Sequence, residues 1–258
     1  MQTLPEWILR TPIAHRGLHD VAHGVIENSL PAFWAAARAG YPAELDVRLL
    51  ADGEAVVFHD QTLDRLTGET GPIARRTSRE LSTIFLSAAA GEDPRTDDAR
   101  IPLLREVLDT IAGATPLLVE IKNDGEVGEL ERIVGSLLEA YTGPYAIQSF
   151  HPGTVKYWRE HAPAVPRGLL SGDFRHETID EATRERLRSM ESIDECDPGF
   201  VGYDIRLLPN DPVRRARERG VAVIGWTARS RAEAEVARAH CDNVIFEGFD
   251  ASTLRGGA

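Results

Sequence analysis

Strand-like apolar runs alternate with helix-compatible stretches along almost the whole chain, and this repeat restricts the fold more than any other feature. Eight runs have the composition of strands, at about residues 13–15, 43–49, 117–121, 145–149, 165–170, 199–203, 221–226 and 243–246. Helix-compatible stretches cover 29–39, 102–112, 126–141, 152–161, 178–192, 211–219 and 230–239. Eight β/α units in 258 residues predict a TIM (β/α)8 barrel, formed by a single domain over 1–258. A doubly wound open sheet is the alternative, but no G-x-G-x-x-G follows the first strand.

Two segments interrupt the repeat. Residues 50–60 place Asp52-Gly53 between apolar runs, which predicts a β-hairpin with a two-residue turn after the second strand. That register puts Asp46 opposite His59. The stretch from Ala89 to Arg100 is polar and predicts a short exposed insertion before the third barrel strand.

Composition excludes several classes of protein. The formal charge of −12, without a basic run carrying aromatic residues, argues against a nucleic-acid partner. No stretch is long enough for stable membrane insertion, and the N-terminus lacks the pattern of a signal peptide, so we predict a cytoplasmic protein. The two cysteines, Cys196 and Cys241, predict reduced thiols rather than a disulfide framework or a metal cluster.

Ionisable residues stand where three of the apolar runs end. Ile13-Ala14 leads into His15 and Arg16, the second run contains Glu44 and Asp46, and the third ends in Glu120-Ile121-Lys122. Residues two apart in a strand share a face, so Glu44 lies beside Asp46 and Glu120 beside Lys122. Because the C-terminal strand ends of a TIM barrel form its active site, these residues predict a divalent cation that holds an anionic substrate.

The order of several short motifs carries a resemblance to a known family. They are H-R-G at 15–17, E-N-S at 27–29, E-L-D-V at 44–47, V-V-F-H-D-Q-T-L-D-R-L-T-G at 56–68, E-I-K at 120–122, S-F at 149–150 and W-T at 226–227. The chain resembles the glycerophosphodiester phosphodiesterases, metal-dependent TIM-barrel enzymes that release glycerol 3-phosphate and an alcohol. It departs from the family pattern at Ser29, where Thr is usual, and in 244–249, where the family more often has Thr-Asp followed by Pro.

The resemblance implies a role for each candidate site residue. It makes Glu44, Asp46 and Glu120 the ligands of one Ca²⁺ or Mg²⁺ ion, and all-oxygen carboxylate ligands suit such hard cations. It makes His15 and His59 the general acid/base pair, and Arg16 and Lys122 the phosphate ligands. Phe150 and Trp226 are either core aromatics or a wall against the substrate. Asn28 is read as the N-cap of the helix over 29–39, with a site role secondary.

The hypothesis for the reaction is a two-step hydrolysis of a small glycerophosphodiester. One histidine deprotonates the 2-hydroxyl of glycerol, which attacks phosphorus while the other histidine protonates the leaving alkoxide, and water then opens the cyclic phosphate. Which histidine acts first as the base stays open. Two alternatives keep the same site: an enzyme acting on lysophospholipids or sphingolipids, and a non-catalytic protein that binds phosphodiesters.

Overall fold

The computed structural model describes residues 2–87, 100–123, 125–175 and 179–254, and these contain nine strands and ten α-helices. The strands are β1 Ile13–Ala14, β2 Ala43–Leu49, β3 Ala55–Val57, β4 Leu117–Ile121, β5 Tyr145–Ser149, β6 Arg167–Ser171, β7 Phe200–Asp204, β8 Ala222–Ala228 and β9 Asn243–Phe246. The helices are α1 Glu6–Arg10, α2 Leu30–Ala39, α3 Ser78–Leu81, α4 Leu104–Ile111, α5 Glu129–Glu139, α6 Pro152–His161, α7 Glu181–Arg188, α8 Ile193–Cys196, α9 Asp211–Glu218 and α10 Arg231–Arg238. All eight predicted strands and all seven predicted helices are present.

The chain forms two compact units. The N-terminal unit comprises Ala14–Tyr145, and the C-terminal unit comprises Met1–Ile13 with Ala146–Ala258. In the C-terminal unit, β5 to β9 form a ladder of parallel neighbours in chain order. Val155, Leu169 and Val201 belong to its apolar core. The prediction of a single domain over 1–258 stays a prediction.

The N-terminal unit is built around β2. This strand pairs in parallel with β1 and with β4, and antiparallel with β3. The segment after β3 has its own apolar core, in which Phe58, Leu63 and Ile73 are almost completely buried. Burial of side chains of this size contributes about 1.5–3 kcal/mol each, which anchors the segment although little of it is strand. His59, Asp60 and the residues that follow are thereby fixed beside β2.

The predicted hairpin is present, but its predicted register is wrong by one residue. β2 pairs Val47 with Val57, and the amide of Phe58, not of His59, donates to the carbonyl of Asp46 at 3.0 Å. The loop has three residues, 51–53, because the amide of Gly53 donates to the carbonyl of Leu50 at 3.0 Å. Gly53 has a φ of +79°, the left-handed conformation that closes a three-residue hairpin loop.

Two further sequence predictions concern the loops and the first long helix. The polar insertion lies outside the described residues except for Arg100, whose backbone bridges to Phe85. The N-cap of α2 is Ser29 rather than Asn28, because the Ser29 hydroxyl accepts from the amide of Ala32 at 3.3 Å. This correction leaves the Asn28 side chain available for another partner. Over the described ranges, no helix is long and apolar enough to cross a membrane.

Candidate active site

A buried cluster of three carboxylates lies on two neighbouring strands of the N-terminal unit. Glu44 and Asp46 belong to β2 and Glu120 to β4, and the parallel register places Asp46 beside Glu120. One oxygen of each residue lies within 4.8 Å of one oxygen of both others. All three side chains are buried, in strands that are otherwise almost entirely apolar. Carboxylates are almost never buried without a partner, so this cluster requires compensating positive charge.

Glu44 is the least compensated member of the cluster. Its Oε2 accepts from the backbone amide of Arg16 at 2.9 Å, whereas its Oε1 is buried and has no hydrogen-bond partner among the described residues. Burial, together with the negative charges of Asp46 and Glu120, raises the pKa of Glu44 well above its usual range. A cation bound between the three residues would compensate these negative charges and favour the ionised form of Glu44.

Asp46 is surrounded by donors. Lys122 Nζ lies 3.1 Å from Oδ1, Arg16 Nε lies 3.3 Å from Oδ2, and Asn28 Nδ2 donates to Oδ2 at 2.7 Å. Burial opposes ionisation of Asp46, but the positive charges of Lys122, His59, Arg16 and His15 outweigh it and hold the pKa of Asp46 below its usual range. Asp46 is therefore an anion at neutral pH.

The two basic residues predicted to bind phosphate do lie against the acids. Lys122 Nζ donates to Glu120 as well as contacting Asp46, and these carboxylates keep its pKa raised in spite of burial. Arg16 Nη1 donates to Glu27 at 2.6 Å. Both cations are thus held at the edge of the carboxylate cluster, where a phosphate bound to a metal ion would need donors.

The histidines approach the cluster from two different segments. His15 follows β1 directly, and His59 follows the hairpin strand β3. His59 Nδ1 lies 2.6 Å from Asp60 Oδ1, and the side chain of His59 is 34% exposed. Burial would raise the pKa of Asp60, but hydrogen bonds with His59 and Arg65 hold it below its usual range, so Asp60 is an ionised acceptor. Nδ1 of His59 therefore carries the proton, and Nε2 is left for chemistry.

A left-handed turn after β1 sets the position of Arg16. Arg16 has a φ of +54° and Gly17 a φ of +79°, and the Gly17 amide donates to the carbonyl of Glu44 at 3.1 Å. A Cβ atom at Gly17 would stand 2.8 Å from the carbonyl carbon of Ala32 in α2. The glycine of the H-R-G motif is thus required for steric reasons, because only glycine lets the turn pass this close to α2.

Asn28 is the site residue whose main role the sequence did not indicate. Its amide clamps Asp46 from both sides, since Nδ2 donates to the carboxylate and Oδ1 accepts from the Asp46 amide at 3.3 Å. Asn28 holds a left-handed φ of +54°, a conformation that asparagine tolerates better than most residues. The sequence signal was the Asn directly before a second capping residue, Ser29, because only one of the two can cap α2.

The two aromatic candidates lie in the C-terminal unit. The ring of Phe150 packs edge-on against Trp226 with centroids 5.4 Å apart, and against Phe174 at 5.8 Å. The indole N–H of Trp226 is buried without a hydrogen-bond partner in the described residues. Phe174, which the sequence did not indicate, completes the group. Contact of Phe150 and Trp226 with a substrate stays a prediction.

The donor set fits a hard divalent cation. Three carboxylates with closely spaced oxygens match the all-oxygen coordination of Ca²⁺ and Mg²⁺, and two of their oxygens, Glu44 Oε1 and Asp46 Oδ1, accept no hydrogen bond from the described residues. No cysteine belongs to the cluster, which disfavours soft metals. The residues present could therefore hold the predicted ion.

Carboxylates able to hold a metal ion, together with two histidines and two basic residues on a β/α scaffold, define a candidate site for phosphoryl chemistry. The chain belongs to the glycerophosphoryl diester phosphodiesterase family, whose model matches residues 15–250. The predicted enzyme class, a phosphoric diester hydrolase, is thereby confirmed.

Known proteins agree with this assignment. A glycerophosphodiester phosphodiesterase of Caldanaerobacter subterraneus is 29% identical over 248 residues, which cover 94% of this chain and 95% of the relative. A phosphodiesterase of Oleispira antarctica, solved with its product sn-glycerol-3-phosphate, superposes with a TM-score of 0.76 at 23% identity and 93% coverage of both chains. The enzyme of Thermotoga maritima superposes with a TM-score of 0.65 at 24% identity, covering 92% of this chain and 94% of that one. These structures confirm the predicted TIM-barrel fold class.

Proposed function

We propose that this protein hydrolyses small glycerophosphodiesters to glycerol 3-phosphate and an alcohol, using one divalent cation and two histidines. The observation that carries the proposal is the buried cluster of Glu44, Asp46 and Glu120, in which Glu44 keeps a carboxylate oxygen that no described residue hydrogen-bonds. A protein that only needed ion pairs would not bury an uncompensated acid at this position. The family model and the relatives' names supply the reaction class.

The cation is Ca²⁺ or Mg²⁺, held by the three carboxylates of the cluster. When bound, it supplies Lewis-acid polarisation of the phosphoryl group and charge compensation for the acids. Glu44 has the most to gain from such binding, because burial and its neighbours otherwise oppose its ionisation.

Arg16 and Lys122 are the residues that orient the phosphate. Arg16 is anchored by Glu27 at 2.6 Å, and Lys122 by Glu120 and Asp46, so neither side chain has to be ordered when substrate binds. Their N–H donors compensate the negative charge that develops on the equatorial phosphoryl oxygens during attack. Pre-anchored donors lower the barrier more than mobile ones, because the cost of ordering them is met in folding.

His15 and His59 transfer the protons. With Nδ1–H of His59 directed to Asp60, Nε2 accepts a proton in the neutral ring and donates one in the imidazolium. In the first step one histidine takes the proton of the glycerol 2-hydroxyl, and the other gives a proton to the leaving alkoxide. The two exchange roles when water opens the cyclic phosphate, so the protein returns to its starting protonation state.

The cyclic route has a measurable consequence. A diester whose 2-hydroxyl is replaced by hydrogen lacks the internal nucleophile and should turn over at least about 100-fold more slowly than its parent. Phosphorus NMR of a reaction with glycerophosphocholine should show glycerol 3-phosphate as the final product, preceded by a transient cyclic species. Equal rates for the two diesters would replace the cyclic scheme with direct attack by water. No hydrolysis of either diester by folded protein that has been supplied with Ca²⁺ and Mg²⁺ would contradict the proposed function.

A further inference from the structure

A chain of alternating charges connects His59 with Arg16 in the N-terminal unit. Its members are His59, Asp60, Arg65, Glu27 and Arg16, and we call it the charge chain. His59 Nδ1 contacts Asp60 at 2.6 Å, and Arg16 Nη1 donates to Glu27 at 2.6 Å. The two ends are the residues proposed for proton transfer and phosphate binding.

Arg65 joins the two halves of the charge chain. Its Nε donates to Asp60 Oδ2 at 2.6 Å and its Nη2 to Oδ1 at 3.1 Å, while Nη1 and Nη2 donate to Glu27 at 2.9 and 2.8 Å. One planar guanidinium therefore binds two carboxylates at once, each through two bonds. A lysine could not reproduce this geometry, because its ammonium is a point charge.

The contribution of Arg65 to folding does not explain this arrangement. Its side chain is 45% exposed, and a single ion pair at such a position contributes little to stability, so stability alone would not require two bidentate pairs. Bidentate pairing instead restricts the orientation of a carboxylate relative to the guanidinium. Because Arg65 pairs in this way with both Asp60 and Glu27, it fixes the two carboxylates relative to each other.

We propose that Arg65 is a positioning residue, which fixes the orientation of Asp60 and Glu27 and through them sets His59 and Arg16 in one geometry. The inference rests on the proposed function, because it assigns Arg65 to that reaction. Arg65 touches neither substrate nor cation in this scheme. It acts by keeping the proton on Nδ1 of His59 and by holding the Arg16 guanidinium toward the phosphate.

The charges of the charge chain persist at neutral pH. Burial alone would raise the pKa of Glu27, but hydrogen bonds from Arg65 and the charge of Arg16 hold it at about 2. Hydrogen bonds to Glu27 and Asp60 raise the pKa of Arg65 above its usual value, although burial opposes this. Glu27 and Asp60 are therefore both ionised at neutral pH.

The test compares Arg65→Gln with Arg105→Gln, using glycerophosphocholine as substrate. Arg105 is a matched control, since its side chain is 48% exposed and pairs with one carboxylate of the described residues, Glu54, at 3.0 Å in the same unit. We expect Arg65→Gln to lower kcat by about 10- to 100-fold and to raise KM several-fold. Losses of this size are typical when a residue that orients a catalytic or substrate-binding side chain is removed. Arg105→Gln should leave both constants within about twofold. Equal behaviour of the two variants overturns the proposal.

A double-mutant cycle separates positioning from a general structural effect. Because Arg65 acts through both carboxylates, Arg65→Gln added to the variant Asp60→Asn/Glu27→Gln should lower kcat no further than Asp60→Asn/Glu27→Gln does alone. Losses that multiply would show that Arg65 acts independently of the two carboxylates, which overturns the proposal. Thermal unfolding midpoints of all variants establish that each is folded at the assay temperature.

Arg65→Lys keeps the inference falsifiable if the glutamine variant does not fold. The lysine variant retains the charge but not the double bidentate geometry, so its kcat should lie at about one fifth to one twentieth of the wild-type value. A wild-type kcat in Arg65→Lys overturns the proposal. An inactive wild-type protein would instead contradict the proposed function, so the two failures are distinguishable.

Discussion

The burial of Glu44, Asp46 and Glu120 sets the requirements for every other residue of the site. Lys122 and Arg16 compensate part of the negative charge, and Asn28 orients Asp46, yet Glu44 keeps one oxygen without a hydrogen-bond partner in the described part of the chain. At the residue scale the negative charge of the cluster is only partly compensated, and the proposed metal ion is supported by charge compensation as well as by family resemblance.

Replacing either histidine tests the assignment of proton transfer. His15→Ala and His59→Ala should each lower kcat by about 100- to 10,000-fold, the range that general acid/base groups contribute, without weakening cation binding. Steady-state kinetics and calorimetric titration with Ca²⁺ measure the two effects. His23→Ala is the control, because His23 is an exposed histidine paired with Asp20 and should be silent. Turnover that survives in both single variants would remove the assignment.

Asn28 allows a prediction about cation affinity. Asn28→Gly permits the left-handed backbone but lacks the amide that binds Asp46, so it should weaken Ca²⁺ or Mg²⁺ binding by about 10- to 100-fold. Asn28→Ala should weaken binding equally and lower the free energy of unfolding by about 1 kcal/mol more than Asn28→Gly does, because alanine is strained at this φ. Unchanged cation affinity in both variants, measured by calorimetry, would contradict the clamp.

At the scale of elements, the ends of β1 and β4 could be predicted because these two apolar runs stop at an ionisable residue, His15 and Lys122. Loop geometry could not be predicted as closely. Asp52-Gly53 suits a two-residue turn, but the extra residue Ala51 enters the loop and shifts the pairing by one position. Asn28 and Ser29 are both good caps, and which of them caps α2 depends on Asp46, a contact across 18 positions. The residues next to the start of α2 therefore do not determine which of the two is the N-cap.

Substitutions at two glycines with the same backbone conformation distinguish the cost of backbone strain from the cost of a steric clash. Gly17 and Gly53 both have a φ of +79°, but a Cβ at Gly53 meets nothing within 4 Å, whereas one at Gly17 meets Ala32 at 2.8 Å. Gly53→Ala should therefore cost about 1 kcal/mol in the free energy of unfolding and leave kcat unchanged. Gly17→Ala should cost about 2–4 kcal/mol and lower kcat, since the turn that carries Arg16 must move. Equal urea-unfolding losses would show that the contact with α2 is unimportant.

On the scale of the whole molecule, acid sensitivity follows from the charge chain. The pKa of Glu27 is about 2 in the folded protein against a usual value of 4.5, so its contribution to stability is complete above pH 4.5 and is lost as the pH falls toward 2. Between pH 5 and pH 3, the wild type should lose about 1–2 kcal/mol more of its free energy of unfolding than Glu27→Gln does. Urea unfolding at the two pH values measures this difference. Parallel losses in the two proteins would contradict the contribution of Glu27.

The net charge of −12 affects how the protein binds an anionic substrate, because positive charge close to the site must compensate the overall repulsion. An anionic phosphodiester is repelled at long range, so under the proposed function its capture depends on Arg16, Lys122 and the proposed cation acting together at short range. Binding should consequently tighten as salt is added up to physiological concentration, the reverse of the behaviour of a protein that attracts anions through its overall field. A KM that rises steeply with salt would contradict this account.

Metal-restored activity would show whether hydrolysis requires a cation held by the three carboxylates. Release of glycerol 3-phosphate from glycerophosphocholine is followed through a coupled dehydrogenase, first in EDTA and then with excess Ca²⁺ or Mg²⁺, for the wild type, Glu44→Gln and Glu131→Gln. Glu131 is the control, a completely buried carboxylate of the same unit that bonds Asn123 at 2.7 Å and lies outside the cluster. We predict no activity in EDTA, full recovery with one of the two ions in the wild type and in Glu131→Gln, and at least about 100-fold lower activity in Glu44→Gln. Wild-type activity that persists in EDTA, or an undiminished Glu44→Gln variant, would contradict the central claim.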